Sequence, residues 1–361
     1  MRVYPYIKPR FNGIQMVMLD VVIALLPLVF VGWFAYGGLF MQQLGIAISA
    51  ALLTEFLFSA LLLKKYNTVL DGSALVTAIL LVFTISPLTP WYVVAFGSFA
   101  AILFGKIVWG GLGKNRFNPA LIGREFMAVF FASIMTSPDI WKTKDLIKNT
   151  ATDVFGTVNH DYLSSYLTSV VFQTKGAMGE YSIVCLAIGG LYLLLRNRIS
   201  WHIPFSLLGA FILLSWLVGG EGMQYSMGGI LLGTIFMATD MPSSPTTKSG
   251  KLYYGVMIGI ATYAFIKGGV RYEYMSYSIL LMNGFSDQGS FVFKPRAWGV
   301  VGDWKKKIED VFLLTLKISA VILAVLSLYY YDGMHYLVFL YIIYMIIKFN
   351  YSFSNKVNNV I

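Results

Sequence analysis

The chain has 361 residues, 57% of them hydrophobic and only 12% charged, with a mean hydropathy of +0.70. So much apolar surface excludes a water-soluble domain of this size, and a large share of it must face lipid. The net charge of +10 does not signal nucleic acid, because the basic residues gather in short loops between apolar runs, the positive-inside pattern of membrane proteins.

The first apolar run, at about 14–37, follows Met1-Arg-Val-Tyr-Pro with no small-residue cleavage site, so it reads as a span and not a signal peptide. Further runs fall at about 39–63, 73–86, 91–109, 118–136, 181–195, 202–219, 226–238, 252–266 and 274–286, with two more at about 310–330 and 334–347. The expected architecture is therefore an all-α integral membrane bundle of ten spans plus a C-terminal pair. With a cytoplasmic N-terminus, the clusters Lys64-Lys65, Lys114 with Arg116, Arg196 with Arg198, Lys248 with Lys251, and Lys294 with Lys305 to Lys307 all land inside. The long polar connection at 138–180 then lies outside, and its aromatic residues argue that it folds against the outer face or a partner. The chain divides into a first membrane repeat (1–137), the outer loop (138–180), a second repeat (181–300) and a helical-hairpin extension (301–361).

Two short runs are interrupted in the same way at a spacing of roughly 155 residues, as expected of five-plus-five inverted repeats with broken helices. Ser73–Ser86 ends in Pro87-Leu-Thr-Pro90, and Met227–Ala238 ends in Thr239-Asp-Met-Pro242 and Ser243-Ser-Pro245. A helix over 227–238 would rise only about 18 Å, too short for a hydrocarbon core of about 30 Å. Its hydroxyl-rich end, Thr239, Asp240, Ser243, Ser244, Thr246 and Thr247, is either a cytoplasmic loop or the lining of a site beside a broken membrane helix.

Asp71 precedes the first short helix as a natural N-cap, or it belongs to a cation or cofactor site. In Gly110-Gly-Leu-Gly-Lys-Asn-Arg-Phe-Asn118-Pro119 the glycines permit close backbone approach, and Asn118 with Pro119 reads as an N-cap and first helical residue. Free amides there, with Lys114 and Arg116, can hold an anion or the polar edge of a ring, although a plain helix-start loop has the same letters. Arg124 and Glu125 are charges inside an apolar run, expected to face the bundle interior or to snorkel to the cytoplasmic edge. Asp20 and Glu180, near run ends, are expected at the interface. One cysteine, Cys185, and three scattered histidines exclude a cysteine-ligated metal centre built from this chain alone.

These stretches resemble the RnfD/NqrB family, the flavin-carrying membrane subunits of ion-translocating ferredoxin:NAD and NADH:quinone oxidoreductases. The resemblance rests on Asp71-Gly-Ser-Ala-Leu, the 110–120 segment, Ile199-Ser-Trp-His-Ile-Pro, Phe236-Met-Ala-Thr-Asp, Ser244-Pro-Thr-Thr-Lys-Ser-Gly, Leu280-Leu-Met-Asn and Lys294-Pro-Arg. It covers about residues 10–300, and the Ser-Pro-Thr-Thr form is closer to RnfD than to NqrB.

The resemblance implies the ten-span inverted fold, an FMN joined through its phosphate to a threonine on the extracytoplasmic side, and in some members a second flavin such as riboflavin. The comparable site is Asn149-Thr-Ala-Thr152-Asp-Val, which keeps Ala-Thr but has Asn149 in place of a hydroxyl residue and Asp153 in place of proline. Thr152 is accordingly the expected attachment point. Asn115, Asn118, Thr239, Asp240, Thr246 and Thr247 are the expected holders of the second flavin. Asp71, Arg124 and Glu125 are the candidates for an ion path.

No residue is expected to be catalytic by itself, and no metal is expected. The implied protein is a translocase component, inactive alone, in a bacterial or archaeal cytoplasmic membrane. Its implied partners are membrane and peripheral subunits, including a flavin-bearing periplasmic one and an iron–sulfur cytoplasmic one. The rival reading is a passive channel or transporter of the same architecture without redox chemistry.

Overall fold

The computed structural model describes residues 13–141, 177–219, 223–295 and 304–358. Among them the regular structure is helical, with no strand. The helices are α1 (Gly13–Tyr36), α2 (Gly38–Phe58, continued as a π turn over Ser59–Leu63), α3 (Ser73–Phe83), α4 (Trp91–Ile102, with a π turn over Leu103–Ile107) and α5 (Pro119–Phe130). Then follow α6 (Ile183–Leu195), α7 (His202–Leu217), α8 (Met227–Leu232, with a π turn over Gly233–Met237), α9 (Lys248–Lys267) and α10 (Tyr274–Gly284). The short α11 (Ser286–Val292) leads to α12 (Trp304–Tyr330) and α13 (Met334–Asn358).

Four helices, α1, α2 with its π turn, α12 and α13, are long and apolar enough to cross a membrane. Their surfaces and those of α6 and α7 expose large apolar side chains, among them Trp216 (78% exposed) and Leu195 (74%), which water would penalise and lipid would not. Close packing comes from small residues. A Cβ on Gly255 of α9 would collide with Ser206 Oγ of α7, and one on Gly123 of α5 would collide with the Gly97 carbonyl of α4. Thus α7 packs on α9 and α4 on α5; α2 also packs on α4, and α1 on α6.

The short helices α3 and α8 with its π turn each hold 11 residues, a rise of about 16 Å, half a hydrocarbon core. Their broken ends lie at opposite ends of the bundle. The end of α3 sits with the segments near 140, 178 and 272: Met178 N donates to Ile85 O (3.0 Å), Ser86 Oγ donates to Ile140 O, and Arg124 bridges Thr84 O and Tyr272 O. The end of α8 sits instead with the 111–118 segment, with Arg198 and with the start of α1, which share one cavity wall.

The C-terminal hairpin straddles the bundle. Helix α12 packs on α9, α10 and α11, and α13 packs on α5. Tyr341 donates to Phe104 O (3.0 Å), and Lys348 Nζ lies 3.3 Å from the centre of the Trp109 ring. Tyr330 and Tyr331 are exposed at its turn, as residues of an interfacial belt are.

Candidate functional site

The loop ahead of α5 is built by its glycines: Gly110, Gly111 and Gly113 all adopt φ between +80° and +109°, a region that side chains with a Cβ avoid. It delivers Asn118 as the N-cap of α5, with Pro119 at the first helical position. The Asn118 side-chain oxygen accepts from Ala120 N (3.0 Å) and Leu121 N (3.3 Å). Its amide nitrogen donates to Met237 O (3.4 Å), a carbonyl at the end of the α8 π turn that also accepts from Asp240 N (3.4 Å) in the following turn. Asn283 of α10 completes the contact: in the amide orientation that satisfies its neighbours, its oxygen accepts from Asn118 N (3.1 Å) and its nitrogen donates to Ser243 O (3.2 Å).

Beside this contact lies a cavity of about 300 Å³. Asn115, Asn118, Thr239 and Asp240 line it, together with Lys106 and Arg198 and an apolar wall that includes Val21, Leu193, Ile235 and Phe236. Asn115 donates to Asp240 Oδ2 at 3.4 Å and Ser243 Oγ to the same oxygen at 3.3 Å. Asp240 lies in the connection beyond the half-helix, where burial pushes its carboxyl up to about 6 against the opposing effect of those two hydrogen bonds. Thr246 and Thr247 are outside the lining. Thr247 caps α9 by accepting from Gly250 N (3.1 Å), and Thr246 N donates to Ser290 Oγ at 3.3 Å.

At the cavity edge is an ion pair that the motifs did not reveal. Lys106 Nζ lies 2.5 Å from Glu55 Oε1, donates to Ser73 Oγ, and stands 3.8 Å from Asp71 Oδ2; the Lys106 and Glu55 side chains are 3% and 0% exposed. Asp71 accepts from Ser73 N (2.8 Å), but the N-cap position of α3 is Gly72, so Asp71 stands one residue ahead of the expected cap and is a member of this cluster. A charge inside an apolar run is the signal that would have found Glu55 and Lys106 from sequence.

Arg124 and Glu125 are buried in the interior and do not reach the cavity end. Arg124 Nε donates to Glu273 Oε2 at 2.6 Å, and Nη2 donates to Tyr272 O at 2.8 Å. Asp20, expected at the interface, is 2% exposed and accepts from Arg198 Nε at 2.6 Å and Tyr192 Oη at 3.1 Å, because α1 packs directly on α6 and its following loop. Glu180 is half-buried. Thr152 lies outside the described residues. Among the described residues no three His, Cys, Asp or Glu side chains are grouped to hold a metal.

A model of the NQR2, RnfD, RnfE family matches residues 1–299. The chain belongs to that family. Among its relatives, the D subunit of the Na(+)-translocating ferredoxin:NAD(+) oxidoreductase complex of Acetobacterium woodii is 36% identical over 301 residues, covering 82% of this chain and 94% of the relative. The D subunit of the proton-translocating ferredoxin:NAD(+) oxidoreductase complex of Clostridium ljungdahlii is 34% identical over 292 residues, 75% of this chain and 88% of the relative. The D subunit of the ion-translocating oxidoreductase complex of Pectobacterium carotovorum is 32% identical over 335 residues, 79% and 94%. The family match ends at residue 299, ahead of the α12–α13 hairpin.

Proposed function

We propose that the chain is a subunit of a multi-subunit, ion-translocating ferredoxin:NAD oxidoreductase complex of the cytoplasmic membrane, and that it carries electrons across the bilayer on flavin. The observation that carries this reading is the family match over 299 residues, with relatives matched over 88–94% of their own length. Two further observations support the inverted-repeat form of the fold. The halves pair alike, α2 on α4 and α7 on α9. The carbonyls at the two broken ends, Thr84 and Met237, lie 153 residues apart in sequence (237 less 84), close to the spacing of the two prolyl breaks.

An electron cannot cross about 30 Å of hydrocarbon in one useful step, so such a protein needs carriers near both faces. A flavin supplies that chemistry, because it takes and gives electrons singly or in pairs. The cavity fits a flavin ring system: it offers apolar faces from Ile235 and Phe236 and a few amide, hydroxyl and charged groups at one rim. In this reading Asn115, Asn118, Thr239 and Asp240 orient the ring edge, and Lys106 sets the charge beside it. Thr152 in the outer loop carries the covalent FMN. Asp71 at one end and Arg124 with Glu125 at the other are the groups placed to serve an ion path.

In-gel flavin fluorescence that survives denaturation tests the covalent group. We expect it in the wild type expressed with a competent flavin transferase and expect its loss in Thr152→Val at unchanged protein level. Equal fluorescence in the two refutes Thr152. Release of a second, extractable flavin by denaturant, reduced in Asn118→Ala, tests the cavity; absence of any flavin from the assembled complex refutes the redox reading and leaves a passive transporter.

A further inference from the structure

Where α11 meets the start of α12, an open groove of about 540 Å³ lies apart from the polar cavity. Asp310, Leu313 and Lys317 of α12 fall at i, i+3 and i+7, one stripe of that helix, and Asp287, Gln288 and Phe291 of α11 form the other wall. Phe291 is 78% exposed and Leu313 43%, so the apolar part of the groove is uncovered. Asp287 and Lys317 are exposed as well. Among the described residues neither Asp310 nor Lys317 has an ion-pair partner, and Asp287 has only Arg116 Nη2, at 3.7 Å.

Helix α12 is long and apolar enough to cross the membrane, and it carries Trp304 with Lys305 to Lys307 at one end and Tyr329 with Tyr330 at the other, where interfacial anchors belong. Its apolar stretch begins at Val311. Asp310 therefore stands at headgroup level, and Lys317, seven residues on, lies about 10 Å deeper. Asp287 reaches Arg116 of the 110–118 loop, so it too stands at the end of the bundle. A lysine below the membrane surface on an exposed helix face needs a counter-charge toward which its long stem can carry the ammonium. The groove is thus ordered by depth, with two acids at the rim and a base beneath them, against an apolar wall. An aminophospholipid has the complementary order: a cationic amine outermost, a phosphate beneath it, and hydrocarbon chains below.

We propose that this groove binds one zwitterionic phospholipid with a primary ammonium, that is, a phosphatidylethanolamine-type headgroup. Asp287 and Asp310 accept from the ammonium, Lys317 donates to the phosphate, and the chains run along Phe291 and Leu313. The charge pattern selects among lipids. A quaternary ammonium has no N–H to give the two carboxylates, and an anionic lipid brings them no cation, so both are held less well. The groove lies between α11, inside the stretch matched by the family model, and α12, beyond it, so a bound lipid bridges the two. The site is independent of any flavin.

Photolabelling of the full chain in its assembled complex tests the site, in phosphatidylcholine vesicles holding a trace of phosphatidylethanolamine with a diazirine on one acyl chain. Cross-links mapped by mass spectrometry are expected on α11 and on the 310–317 stretch of α12. Replacing part of the phosphatidylcholine with unlabelled phosphatidylethanolamine should suppress them, and the same amount of phosphatidylglycerol should not. Lys317→Leu and Asp310→Asn should each lower this labelling by about tenfold, the effect of one lost charge-assisted hydrogen bond. Labelling of the lipid-facing Trp216 on α7 should stay constant and so report that the variants fold. Equal suppression by phosphatidylglycerol, equal labelling by a diazirine phosphatidylcholine, or unchanged labelling in either variant overturns the proposal. So does a photoreactive phenylalanine analogue in place of Phe291 that cross-links to a neighbouring protein subunit instead of to lipid.

Discussion

Replacing Arg124 with Met removes the guanidinium that ties α5 to the end of α3 and to the segment ahead of α10. Arg124 donates to both oxygens of Glu273 (2.6 and 3.2 Å), to Tyr272 O (2.8 Å) and to Thr84 O, and its side chain is 7% exposed. Leaving one partner of a buried pair uncompensated costs about 3–5 kcal/mol, and each buried carbonyl left without a donor adds about 1–3 kcal/mol before relaxation. A loss of at least about 3 kcal/mol is therefore expected from equilibrium unfolding in bicelles. Arg124→Lys keeps the charge but not the planar fork, and should fall between wild type and Met. In Arg124→Met/Glu273→Leu no charge is stranded, and most of the loss should return. A single-variant cost below about 1 kcal/mol, or a double variant no better than the single, would refute the clamp.

Two other perturbations test the opposite end. Lys106→Met strands Glu55, which is fully buried, and should cost about 3–5 kcal/mol by the same unfolding assay, with recovery in Glu55→Gln/Lys106→Met. For Asp240, whose carboxyl rises from 3.8 to about 6 on folding, the folded state binds the proton more tightly than the unfolded chain does. Stability therefore falls as pH rises through the window from about 4 to about 6, and Asp240→Asn should flatten that slope; an unchanged slope counts against a buried Asp240.

Much of the helical plan was legible because hydrocarbon solvent leaves so few ways to satisfy a backbone: runs of apolar residues between basic loops became helices at nearly the expected bounds. The Asn118-Pro119 helix start and the two short broken helices were readable for the same local reason. The pairings were not. Glu55 with Lys106, Arg124 with Glu273, and Asp20 with Arg198 are separated by 51, 149 and 178 residues, and nothing local in the chain says which charge meets which. Thr246 and Thr247 illustrate the converse. Their composition suggested a site, but Thr247 is used up as the cap of α9, a role that any helix start can claim from a hydroxyl.

Helix α5 joins these observations. Its N-cap, Asn118, holds Met237 O at the broken end of α8, and Arg124 holds Thr84 O at the broken end of α3. Six residues separate them, a rise of about 9 Å, so one rigid segment fixes the broken ends of both short helices. The half-helices need such partners because their final carbonyls have no intrahelical donor and, inside a membrane, no water to turn to. That requirement explains why the polar side chains of this apolar chain concentrate in two clusters, and why the cavity lies at one end of α5 while the Arg124–Glu273 pair lies toward the other.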